Sequence, residues 1–182
     1  HYYSTRGQDG PLGYEDALLS GLARDGGLYL PEAWPKFSHE DIAAMQGLSY
    51  AELAGRIMVP FCVGEVDEAE LTAMARDAYA GFDDPDISPL ASLQDNLHVL
   101  ELFHGPTIAF KDYAMQFLAR AFDRALQKKQ QHSVIVGATS GDTGSAALEA
   151  FKCRDAVDVF ILFPEGRVSS VQQRQMTSVM AY

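Results

Sequence analysis

The stretch SVIVGATSGDTGSAALEAF, Ser133–Phe151, passes from β-branched residues through a turn of small residues into an alanine-rich segment. β-Branched side chains suit a pleated strand and alanine suits a helix, so the spacing predicts a strand over Ser133–Gly137 and a helix over Gly144–Lys152. Working outward, a strand is predicted at His98–Phe103, a helix at Asp112–Gln127, a strand at Val157–Phe163 and a last helix at Ser169–Val179. Met115, Leu118, Phe122, Ala125 and Leu126 form the apolar stripe of the 112–127 helix. Strands alternating with helices imply right-handed crossovers and a parallel sheet, here of three strands, so the fold class is α/β.

The preceding half reads differently. A short strand is expected at YYST, a helix at Gly13–Ala23 with Tyr14, Ala17, Leu18 and Leu22 on one face, and a turn at Asp25-Gly26-Gly27 before LYLP. Ser38 caps a helix, with Asp41 three residues on, and helices are expected at Tyr50–Met58 and Asp67–Tyr79. Residues 81–96, GFDDPDISPLASLQDN, are rich in turn formers and hold two prolines. They mark the boundary between a mainly helical module, 1–90, and the α/β portion, 91–182.

Composition excludes several functions. The net charge is -11, and between Glu65 and Asp86 there are eight acids against one base, Arg76. An acidic chain without a basic stripe is a poor partner for nucleic acid, and the acidic stretch reads as a solvated helix face. No apolar run is long enough to span a bilayer, and the first residues show no signal-peptide core. The two cysteines, Cys62 and Cys153, sit in no CxxC and near no histidine pair, which predicts free thiols, no metal site and a reducing, cytoplasmic setting.

Two segments carry candidate chemistry. Thr139–Gly144, TSGDTG, falls at the C-terminal end of a strand and the start of a helix, where backbone N–H groups converge on anions and open α/β sheets bind ligands. It matches neither GxxxxGK[ST] nor GxGxxG, which leaves a pocket for a small carboxylate or a well-capped crossover helix without ligand. The second segment is ELFHGPTIAFKDYAMQFL, Glu101–Leu118, where Lys111 stands at a helix start among Phe103, Ile108 and Phe110. A helix N-terminus and apolar burial both disfavour an ammonium, and a neutral amine is what imine chemistry requires. Asp112 acts in the opposite sense, and a solvated surface lysine is the competing reading.

Taken together, ELFHGPTIAFKD followed by GATSGDTGSAA resembles the threonine synthases, pyridoxal 5'-phosphate enzymes of fold type II. YYSTRG and EDALLSGLARDGGLYLPE are similar to the amino-terminal module of that family, so three blocks match in order over almost the whole chain. The resemblance implies that Lys111 forms the Schiff base with pyridoxal phosphate, with Phe110 and Asp142 as further cofactor contacts. It implies that Thr139, Ser140, Gly141, Asp142 and Thr143 hold the substrate's α-carboxylate. The implied reaction turns O-phospho-L-homoserine and water into L-threonine and phosphate, with Lys111 carrying protons at Cα and Cβ. Many fold type II enzymes place an asparagine at this point of the loop; this chain has Asp142 instead, in common with the longer threonine synthases. The family's cofactor-phosphate loop and pyridine-nitrogen site should follow, yet after Gly144 the only glycine is Gly166. The chain is therefore expected to be an amino-terminal portion, without activity by itself. A threonine-synthase-like phospho-lyase acting on another O-phospho amino acid and a non-catalytic anion-binding module are the rival expectations.

Overall fold

The computed structural model describes residues 1–139 and 141–179. It comprises two compact units, His1–Arg76 and Asp77–Tyr182. Residues 81–96 lie inside the second unit.

In the first unit, β1 (Tyr2–Ser4) pairs antiparallel with β2 (Tyr29–Pro31), Tyr3 standing opposite Leu30. Asp25 secures the turn between them by accepting from Ser4 Oγ at 2.6 Å and from the Gly27 N–H at 2.9 Å. α1 (Tyr14–Ser20) is shorter than expected, because Gly21 leaves the helix at φ +66 and Leu22 is left 64% exposed. Its start is capped from a distance, since Glu65 accepts from the N–H groups of Tyr14 and Glu15 at 3.0 and 2.7 Å. α2 (His39–Ala44) starts at the Ser38–Asp41 capping box, and α3 (Tyr50–Met58) starts at a second box, Ser49–Glu52. α4 (Glu68–Tyr79) follows a short 3₁₀ turn at Val59–Phe61.

The second unit opens with a correction. β3 (Leu90–Gln94) and β4 (Leu97–Leu100) form an antiparallel hairpin, so the strand expected at His98–Phe103 is half of a hairpin and does not begin the parallel sheet. Asn96 turns the chain at φ +61, a conformation asparagine tolerates, and the register slips between Ser92 and Gln94. The parallel pairing among the described residues is β5 (Ser133–Ala138) with β6 (Val157–Leu162), joined through α6 (Asp142–Phe151).

α5 (Lys111–Lys129) packs on α6. Ala119, Ala125, Ala146 and Ala150 are buried, so the two helices approach closely, and the rings of Phe122 and Phe151 meet edge to face at 6.1 Å. Phe117 and Ala121 join the expected stripe, while Met115, Leu118 and Phe122 are half-buried. Buried Asp123 accepts from the Ala156 N–H at 3.2 Å and ties the start of β6 to the middle of α5. One face of the β5–β6 pair, bearing Val134, Val136, Phe160 and Leu162, is exposed. α7 (Ser170–Thr177) closes the described chain with Met176 buried.

Candidate functional site

Lys111 is the first residue of α5 and is half-buried. Its Nζ lies 5.0 Å from the centroid of the Phe110 ring, and it makes no hydrogen bond or ion pair with any described residue. The apolar burial expected around it is absent: Phe103, Ile108 and Phe110 are 50%, 70% and 57% exposed. These side chains face outward because the turn beneath them is held by polar groups instead.

That turn is built on Asp112. The side chain is fully buried and accepts from the Thr107 N–H at 2.8 Å and the Thr107 hydroxyl at 2.7 Å. A Cβ on Gly105 would lie 2.5 Å from Asp112 Cβ, so glycine at that position is dictated by the carboxylate. Burial pushes the Asp112 carboxyl above the usual carboxylate range against the bonds from Thr107, and the charge of Asp142 adds to the rise. Between Thr107 and Lys111, Ile108 sits at φ +65, a strained conformation for a β-branched residue.

His104 fastens the other end of the turn. Its Nδ1 meets Asp83 Oδ1 and its Nε2 meets Glu101 Oε2, each at 2.8 Å. Both ring nitrogens must donate to satisfy two carboxylates, which is the imidazolium form. The Glu101 bond, then the Asp83 bond and charge, raise the His104 pKa against its own desolvation.

Of the 139–143 segment, Thr139 follows β5, and Asp142 and Thr143 open α6. The Thr139 N–H donates to Leu162 O at 3.0 Å, and the Gly141 N–H meets Thr139 Oγ1 at 3.3 Å. Gly141 is buried, whereas Asp142 and Thr143 are exposed; Ser140 lies outside the described residues. The N–H groups of Asp142 and Thr143, first in α6, have no acceptor among the described residues. They form the positive end of a ten-residue helix, the setting in which a carboxylate is stabilised.

α7 connects the two segments. Gln175 Nε2 donates to Thr107 O at 3.0 Å, and Gln172 Nε2 donates to Asp142 Oδ1 at 2.7 Å. Residues three apart on a helix share a face, so one turn of α7 holds both the lysine turn and the anion loop. Thr107 stands within the HGPT turn of the lysine segment, whereas Gln172 and Gln175 belong to no recognisable motif. The visible signal is the glycines: a Cβ on Gly141 would meet Gln172 Nε2 at 2.6 Å, and one on Gly144 would meet Met176 Sδ at 2.9 Å. Among the described residues there is no cluster of metal-binding side chains and no helix long and apolar enough to cross a membrane. Both cysteines are free, Cys62 buried and Cys153 exposed.

Comparison with known proteins follows the same line. The family model described as threonine synthase N terminus matches residues 1–79. The threonine synthase of Pseudomonas aeruginosa is 52% identical over 179 residues, covering 98% of this chain and 38% of the relative. A threonine synthase-like 2 protein of Rattus norvegicus is 39% identical over 180 residues, covering 98% of this chain and 37% of the relative. The structure of pyridoxal-phosphate-bound threonine synthase from Brucella melitensis superposes with a TM-score of 0.93 at 57% identity, covering 97% of this chain and 38% of that one. The chain thus spans less than two fifths of the length of the relatives it matches. With its two motifs brought together by α7, it resembles the amino-terminal portion of the threonine synthases.

Proposed function

We propose that this chain forms the amino-terminal portion of a pyridoxal-phosphate-dependent threonine synthase acting in the cytoplasm. The reaction takes O-phospho-L-homoserine and water to L-threonine and phosphate. The observation that carries the proposal is Lys111: an amine with no partner among the described residues, at a helix start fastened by α7 to an anion-binding loop.

The residues present fit one end of pyridoxal phosphate. Its aldehyde needs an amine that no carboxylate engages, and Lys111 supplies one, with the Phe110 ring beside it. Bound there, the cofactor would supply an electron sink for bonds at the substrate's α- and β-carbons. Lys111 Nζ then accepts and returns protons at Cα and Cβ, positioned by the Asp112–Thr107 bonds under its helix turn. The N–H groups of Asp142 and Thr143, which have no acceptor among the described residues, orient the α-carboxylate together with the side chains of Thr139 and Thr143. Ser140 joins them in the same role. Asp142 adds a contact to the cofactor itself.

The test is borohydride reduction of the full-length enzyme with its cofactor, followed by peptide mapping. The adduct is expected on Lys111 and is lost in Lys111→Ala; an adduct on Lys128, Lys129 or Lys152 refutes the assignment. The similarity to threonine synthase-like 2 supports a second reading, a phospho-lyase on another O-phospho amino acid. Phosphate release from O-phosphothreonine but not from O-phosphohomoserine would favour it.

A further inference from the structure

Asp142 raises a physical difficulty within the proposed site. It is an anion in the first turn of α6, near a second carboxylate, Asp112, that is fully buried. A carboxylate with several rotamers in a loop that must bind an anionic substrate would repel it in some of them. Something has to fix where that charge points.

Gln172 does so, and three observations converge on its amide. First, Nε2 donates to Asp142 Oδ1 at 2.7 Å. Second, the amide is held from its other side: Ser169 Oγ donates to Gln172 Oε1 at 3.0 Å while accepting the Gln172 N–H at 3.2 Å. The Asp142 end assigns oxygen and nitrogen, since an ionised carboxylate can only accept, while the Ser169 hydroxyl, which can donate or accept, restrains the amide without choosing between them. Third, Gly141 leaves room for this side chain. Its φ of 177 is extended backbone that any residue adopts, yet a Cβ there would lie 2.6 Å from Gln172 Nε2 and 3.0 Å from Gln172 Cδ. A side chain at 141 would push the amide away from its place against the loop.

We propose that Gln172 is a positioning residue that fixes the Asp142 carboxylate, through an amide locked by Ser169 and admitted by Gly141. The inference rests on the reading of Lys111 and loop 139–143 as the cofactor and substrate site. α7 then carries a task beyond packing. Gln175, one turn further on, holds Thr107 O, so a disturbance at Gln172 can pass to the lysine turn through the same helix.

Gln172→Leu, Gln172→Glu and the control Gln173→Ala, an exposed neighbour on α7, test it in the full-length enzyme. Q172L removes one hydrogen bond to a charged group, so kcat/KM for O-phosphohomoserine should fall about tenfold or more, with a change in the bound cofactor's absorbance band. Q172E sets carboxylate against carboxylate and should fall further, and Q173A should remain within about twofold of wild type. A second measurement needs neither cofactor nor turnover. The Q172E melting temperature should drop by about 2–4 °C, and D142N/Q172E, in which the asparagine amide donates to the new carboxylate, should recover at least half of the drop. Kinetics and spectrum unchanged in Q172L, an equal loss in Q173A, or no recovery in the double variant would each overturn the proposal. If wild-type enzyme gives no borohydride adduct, the site assignment fails, while the melting cycle still decides the Gln172–Asp142 pairing.

Discussion

Replacing Asp112 should damage the protein more than its surface-like composition suggests. The carboxylate is fully buried and satisfies two donors of buried Thr107, the N–H at 2.8 Å and the hydroxyl at 2.7 Å. Asp112→Ala leaves both donors facing a cavity. An unsatisfied buried donor costs about 1–3 kcal/mol, so the pair costs roughly 2–6 kcal/mol. Thr107→Val removes only the hydroxyl and keeps the N–H bond, for about 1–2 kcal/mol. Because the hydroxyl has lost its acceptor in Asp112→Ala, the double variant should cost clearly less than the sum. Equilibrium urea denaturation followed by far-ultraviolet circular dichroism measures all four corners. An Asp112→Ala loss below about 0.5 kcal/mol, or strict additivity with Thr107→Val, would refute the reasoning.

The pH dependence of the same group has a definite sign. Burial raises the folded carboxyl above its unfolded value. Its contribution is therefore fully present below the ordinary carboxylate range and is lost as the pH rises through the raised value. Asp112→Asn does not titrate, so it should gain on the wild type as the pH rises. A stability gap that widens with rising pH would contradict the assignment.

Three further outcomes are expected. The His104 clasp, with its pKa raised by Glu101 and Asp83, contributes fully below the ordinary imidazole value and is lost as the pH rises through the raised one, so the melting-temperature difference between wild type and His104→Gln should shrink from pH 5.5 to pH 9; a constant difference would argue against the imidazolium. Gly105→Ala, whose Cβ would lie 2.5 Å from that of Asp112, should cost about 1–3 kcal/mol in denaturant, whereas Gly81→Ala, with nothing within 4 Å, should be nearly neutral. Thr143→Ala should weaken substrate binding by about 1.5–3 kcal/mol and cofactor binding much less, measured by titration of each; the reverse order would assign the loop to the cofactor phosphate.

What the sequence reveals and what it hides divide along physical lines. Helix starts are legible where the cap is local: Ser38 with Asp41 announces α2, and Tyr50–Met58 was bounded to the residue. β5, α6 and β6 follow from β-branched and alanine-rich runs, because each of these preferences acts within a few residues. The β3–β4 hairpin was hidden because its turn formers also read as a linker, and only pairing distinguishes the two. Lys111 stands out in the sequence, but its surroundings do not. Apolar neighbours in sequence suggested burial, whereas the turn is secured by Asp112, Thr107 and His104, and the aromatic side chains face outward. The Gln172–Asp142 bond spans thirty residues, and no local pattern can encode a partner at that distance. Its trace is indirect: Gly105, Gly141 and Gly144 all look like loop flexibility in a sequence, yet none of them has a left-handed φ, and at each another side chain occupies the space a Cβ would take. A motif glycine without positive φ therefore points to a neighbour: Asp112 for Gly105, Gln172 for Gly141, and Thr139 with Met176 for Gly144.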